Sequence, residues 1–171
     1  MTVVFFVILI TSAWAIIAYN RLVRDRTRVL TAWSDIDVQL KRRHDLIPKL
    51  VEAVKQYAAY ESATLSAVTG IRAAANPDPE QIGEAERDVS TELRKLVAVA
   101  EAYPELQANA SFLDLQRNLT EVEQHIQYAR RFYNGSVRNL NIRVESFPDS
   151  IIASTFAFEP AKFFDFEPDV S

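Results

Sequence analysis

His44 and His125 are the only imidazoles in the chain, and they are the first residues to test for chemistry. A carboxylate-bridged metal site in a helical protein sets a Glu three residues before a His, so that both project from one face. Lys41 and Val122 hold those positions here. Glu121 lies four residues before His125, within reach across one helical turn, which is also the spacing of an ordinary solvated pair. Zinc sites draw on Cys or paired His, and the chain has no Cys. Glycines occur only at 70, 83 and 135, too sparse for a phosphate-cradling loop, and no serine occupies a nucleophile elbow. No metal, cofactor or catalytic residue is therefore expected.

The densest polar feature is the stretch from Trp33 to Asp45. On a helix Asp37 can reach Lys41, Lys41 can reach Asp45, and Gln39 can reach Arg43. Such a face is commonly just solvated. Arg43 argues for more, because it falls on the hydrophobic seam between Leu40 and Ile47. A charge at a seam position costs stability unless paired, and it can fix helix register. Interaction hot spots favour Arg and aromatic side chains, and two surfaces supply them. The candidate partner-binding residues are Asp35, Asp37, Lys41, Arg42, Arg43 and Asp45, together with Phe163 and Phe164 near the C-terminus.

These residues need elements to hold them. Thr2 to Tyr19 carry no charge, and no Gly or Pro occurs before Pro48. An uncharged helix of that length rises about 27 Å, close to the hydrocarbon thickness of a bilayer. Charges begin with Arg21, Arg24, Asp25, Arg26 and Arg28, and nothing at the boundary breaks the helix. A cleaved signal peptide fits less well: the basic n-region is missing, and the apolar run continues past Ala13-Trp14-Ala15. Basic flanks stay in the cytoplasm, so the N-terminus is expected outside and the body inside. Residues 1–19 are thus read as a transmembrane anchor.

Beyond it, apolar residues recur in steps of three and four, the pattern of a bundle or coiled-coil seam. The first seam is Val29, Trp33, Ile36, Leu40, Ile47, Val51, Val54, Ala58, Leu65 and Val68, ended by Gly70 and Asn76-Pro77-Asp78-Pro79. Pro48 is expected to kink it without breaking it. A second helix should follow Pro79 and run to Ala102, with Ile82, Val89, Leu93, Leu96, Ala100 and Tyr103 inward and Pro104 stopping or kinking it. A third begins near Ser111, shows Phe112, Leu115, Leu119, Val122, Ile126, Ala129, Tyr133, Leu140, Val144 and Phe147, and ends at Phe147-Pro148. The expected fold is all-α: a transmembrane helix continuing into a long-helix antiparallel bundle of three main helices over residues 20–147.

Residues 148–171 form an acidic, aromatic tail. It and Phe147 hold six of the ten phenylalanines, a composition unlike that of a free disordered tail. Packing back along the bundle is the plainer expectation, and a surface facing a partner or lipid headgroups is the sharper one. The chain carries a net charge of −4, which disfavours nucleic acid as a partner. The basic collar after the anchor suits anionic headgroups, so the lipid bilayer is the expected partner there.

Specific blocks of residues resemble the LemA family: Tyr19-Asn20-Arg21-Leu22-Val23, Ala32-Trp33-Ser34-Asp35-Ile36-Asp37-Val38-Gln39-Leu40-Lys41-Arg42-Arg43, and Asp45-Leu46-Ile47-Pro48 with Leu50-Val51-Glu52. The likeness continues through Tyr103-Pro104-Glu105-Leu106, Ala108-Asn109, Ala129-Arg130-Arg131-Phe132-Tyr133-Asn134, Phe147-Pro148, Ile152-Ala153 and Phe163-Phe164. It covers nearly the whole chain. It implies a bacterial inner-membrane protein with one transmembrane helix and a cytoplasmic helical domain, without an established biochemical activity. It also implies association with membrane zinc peptidases of the HtpX type and with magnetosome formation. His44 and Lys49 stand where that family commonly has Asn, Gln56 where it has Gly, and Tyr60 where it has His; the last change removes a histidine beside Glu61.

The leading functional expectation is a non-enzymatic, membrane-anchored scaffold or adaptor of the LemA type. One alternative is a membrane-organising homo-oligomer, and another is an unrecognised metal-binding or hydrolytic protein using the carboxylate-rich helices.

Overall fold

A computed structural model describes residues 1–58 and 82–164, and among these every regular element is an α-helix. We label them α1 (Thr2–Ala58), α2 (Ile82–Ala100), α3 (Pro104–Gln107), α4 (Ala110–Glu145) and α5 (Asp149–Thr155). The expected end of the first helix, with Tyr60, Glu61, Leu65, Val68, Gly70 and Asn76–Pro79, lies outside the described residues, as does Phe166. So does the side chain of Ile82.

The helix α1 is unbroken through Pro48. Its first turns are long and apolar enough to cross a bilayer and are exposed in the protein itself, compatible with a single-pass membrane anchor. Thr11 interrupts the apolar run with a hydroxyl, which donates to Val7 O at 3.0 Å and so needs no outside partner. Pro104 does more than stop the second helix. It opens α3 at the first helical position, where its missing N–H costs nothing, and α2 ends two residues earlier than expected, at Ala100. Asn109 then caps α4, its Oδ1 accepting from the backbone N–H groups of Ser111 at 2.9 Å and Phe112 at 3.3 Å.

The described chain forms two compact units. The first combines Met1–Ile36 with Tyr128–Phe163. Here Ala18 and Leu22 of α1 bury against Ile152 and Ala153 of α5, with Trp14, Ala15, Val144 and Phe158 at the edge. Arg143 Nε donates to Asp25 Oδ2 at 2.6 Å and its Nη1 to Asp149 Oδ2 at 3.1 Å, tying α4 to α1 and to the start of α5. Asp25, then Asp149, hold this guanidinium pKa above its usual value. The Trp33 and Tyr133 rings lie 5.5 Å apart, and Tyr133 Oη donates to Lys162 O at 2.9 Å. Burial raises the Tyr133 pKa. Asn141 meets Ala161 twice, donating from Nδ2 to its carbonyl at 2.9 Å and accepting its N–H at Oδ1 at 2.8 Å. These bonds satisfy the backbone of a segment that has no regular structure of its own.

Ala157 closes α5 with φ of 52°, a left-handed conformation usually left to Gly. Two contacts hold it: Phe158 N–H reaches Ala153 O at 2.9 Å, and Phe158 packs into the cluster containing Ala153. Phe147 departs from expectation. It continues the seam count, yet it is 82% exposed because α4 stops at Glu145 and the helical phase is lost before it is reached.

The second unit contains, among the described residues, Asp37–Gln127 and Phe164. Its main core joins Leu50, Val54 and Ala58 of α1, Leu96 and Ala100 of α2, Leu106 of α3 and Phe112 of α4. Ile47 and Val89 make a smaller cluster beside it.

Candidate functional site

Arg43 is the largest fully buried side chain in the described protein, 1% exposed. Its position on the α1 seam points it inward, where a lone charge would be prohibitive, so partners must come from facing helices. The helix α2 supplies two, Glu86 and Ser90, four residues apart on one face and both buried. Arg43 Nη1 donates to Glu86 Oε2 at 3.1 Å and Nη2 donates to Ser90 Oγ at 2.6 Å. Ser90 Oγ in turn donates to Glu86 O at 3.0 Å. From α4, Glu123 Oε2 lies 3.6 Å from Arg43 Nη1. Arg43 Nε has no acceptor among the described residues.

His44 completes the cluster, with Nε2 at 3.0 Å from the second oxygen of Glu86. Contact with Glu86 raises the His44 pKa above 6.5, against partial burial and the neighbouring Arg43 charge, with Asp45 adding a little. Protonated His44 gives the buried Glu86 a second positive neighbour. A raised folded-state pKa makes this contribution complete below 6.5 and lost as pH climbs through the folded value. We therefore expect the melting temperature of the wild type to exceed that of His44→Gln most near pH 6, with the gap closing as pH rises above 6.5. A gap that widened with pH would mean that His44 sits neutral against Glu86.

Beside this cluster runs an open groove of about 590 Å³. One wall is a single face of α2, with Leu93 and Val97 toward the base and Glu101 at the end; the other is a face of α4, with Leu119, Thr120 and Gln124. An apolar base edged by polar side chains is the form of a groove that accepts a helix or extended peptide.

The residues singled out from sequence divide sharply. Asp35, Asp37, Lys41, Arg42 and Asp45 are exposed, whereas Arg43 is not. The four-residue steps Asp37–Lys41 and Lys41–Asp45 are not closed into ion pairs among the described residues, so these charges stay solvated. Arg42 makes only a long 3.5 Å contact to Gln39. Phe163 is half exposed and Phe164 is buried. Glu121 and His125 do not pair: Glu121 is exposed, and buried His125 Nδ1 has no hydrogen-bond partner among the described residues. No group of three or more His, Asp or Glu that could hold a metal occurs among those residues. Glu86 and Ser90, the partners that matter most to Arg43, carry no signal in the spacing of apolar residues alone.

The model of the LemA family matches residues 32–171. Similar relatives include Protein LemA of Metamycoplasma hominis, 26% identical over 137 residues, which covers 78% of this chain and 63% of that protein. Magnetosome proteins MamQ 2 and MamQ 1 of Paramagnetospirillum magneticum are each 30% identical over 76 residues, 44% of this chain and 28% of theirs. The chain thus spans less than two thirds of the length of each of these relatives.

Proposed function

Because this chain belongs to the LemA family, we propose that it is a non-enzymatic scaffold or adaptor, anchored by α1 in the bacterial cytoplasmic membrane with its N-terminus outside and its helical body in the cytoplasm. The observation that carries this reading is the open groove between α2 and α4, set beside a buried ion-pair cluster that holds α1, α2 and α4 in register. Arg43 and Glu86 fit this positioning role because Arg43 Nη1 and Nη2 are turned on Glu86 and Ser90 and the other Glu86 oxygen faces His44. The three main helices then form an antiparallel bundle, a topology that the short connection from Ala100 to Ala110 favours. The partner that fits the groove is a helical or extended segment of another membrane protein, an HtpX-type zinc peptidase being one candidate.

A photo-crosslinker at Gln124, on the polar edge of the groove, tests this in native membranes. We expect a discrete crosslinked product that Leu119→Arg abolishes while circular dichroism and membrane fractionation stay unchanged. A product insensitive to Leu119→Arg would remove the groove from the interface. A second reading, a membrane-organising homo-oligomer, draws on a stripe of α4 where Tyr128, Phe132 and Ile142 are exposed and a side chain at Gly135 would meet nothing within 4 Å. In that case the crosslinked product would be a dimer of this chain.

A further inference from the structure

The position of α5 along α1 carries a consequence for the membrane. The uncharged run ends at Tyr19. Trp14 lies five residues earlier, about 7.5 Å farther along the helix axis. The headgroup layer on each side of a bilayer is only about 5–8 Å thick. Yet α5 and the residues after it pack on Ala18 and Leu22, with Trp14 and Ala15 at the edge of the same cluster. An element that packs on Ala18, inside the uncharged run, cannot stand wholly in water while that run is in lipid.

The outer side of this element suits that depth. Phe147, Ile151 and Phe156 are 82%, 51% and 56% exposed, a concentration of apolar surface that water alone does not explain. The Tyr19 ring meets Phe156 at 4.8 Å and Phe158 at 5.7 Å, which joins the tail to the end of the apolar run. Three of the four polar side chains on α5 are already satisfied: the hydroxyls of Ser154 and Thr155 both donate to Ile151 O, and Asp149 is paired with Arg143. Arg21, Arg24, Arg26 and Arg28 are exposed around the same level of α1, as contact with anionic headgroups requires. Glu145 and Glu159 are exposed too, and they place the water boundary close by.

We propose that α5 with Phe147, Ile151 and Phe156 is a second, non-spanning membrane contact that lies in the interfacial layer beside the anchor. It rests on the reading of α1 as a transmembrane helix. Its consequence is that the first unit is held to the bilayer surface at two points, which restricts the rotation and tilt of that unit.

The absence of Cys makes the test direct. Single-cysteine variants of the full chain, labelled with an environment-sensitive dye, would be reconstituted in vesicles of phosphatidylethanolamine and phosphatidylglycerol carrying nitroxide lipids. Dye at Phe147→Cys, Ile151→Cys and Phe156→Cys is expected to emit at shorter wavelength and to be quenched by a nitroxide near the headgroup. Dye at Arg117→Cys should stay in water and unquenched. Ile8→Cys reports the anchor through quenching by a deep nitroxide. If Ile8→Cys is quenched while the three tail positions behave like Arg117→Cys, the interfacial contact is overturned and the anchor stands. An unquenched Ile8→Cys would overturn both.

Discussion

Arg43→Ala should destabilise the protein by about 3–5 kcal/mol, because it strips the buried Glu86 of its guanidinium partner and leaves only the half-buried His44 beside it. The change removes the donors at 3.1 Å to Glu86 and 2.6 Å to Ser90 and opens a cavity the size of a long side chain. Domains of this size are stable by only about 5–15 kcal/mol, so the loss should be plain in urea unfolding of the full chain in mild detergent. Arg43→Met combined with Glu86→Leu should recover much of it, since a well-packed apolar pair can replace a buried ion pair at little or no cost. Arg42→Ala, one residue away on the exposed face, should shift the unfolding midpoint by far less. Equal effects at Arg42 and Arg43 would contradict the burial described for Arg43.

Phe112→Ala is expected to cost about 3–5 kcal/mol through lost apolar contact and the cavity left behind. The ring is buried where α1, α2, α3 and α4 meet, against Leu50, Val54, Leu96 and Leu106. Leu113→Ala is the control, because Leu113 is about half exposed and lies outside the clusters described above. The same urea series measures both. A Phe112→Ala penalty below that of Leu113→Ala would place the core elsewhere.

Much of this architecture is legible in the spacing of apolar residues. Val29, Ile36, Leu40, Ile47, Val54, Ala58, Val89, Leu96, Ala100, Phe112, Val122, Ile126, Tyr133 and Leu140 are buried and Trp33, Val51, Leu93, Leu115 and Leu119 half-buried, as a seam built mostly in steps of three and four requires. The cluster was hidden because only apolar residues were counted. In α2 the seam jumps seven residues from Ile82 to Val89, and Glu86 stands at the missing step. Arg43 fills the corresponding gap between Leu40 and Ile47, and Ser136 fills the one between Tyr133 and Leu140, where its hydroxyl donates to Phe132 O at 2.9 Å. Opposite charges in the gaps of two separate seams are a readable sign of a buried pair. The Asp25–Arg143–Asp149 contacts left no such sign, since Asp25 sits among arginines that read as a solvated collar. Phe147 misled for another reason: periodicity does not say where a helix ends.

Asp25 and Arg143 are 118 positions apart, and the unit they close is made from Met1–Ile36 and Tyr128–Phe163, with Asp37–Gln127 of the other unit lying between them in sequence. At roughly 5–20 residues per second, a ribosome needs about 6–24 s to travel from one to the other. Throughout that interval Ala18, Leu22 and Asp25 have been synthesised but cannot yet meet Ile152, Ala153 or Arg143. The core around Ala18 and Leu22 therefore cannot close until α5 has been made, and until then the N-terminal part of α1 stands without that cover.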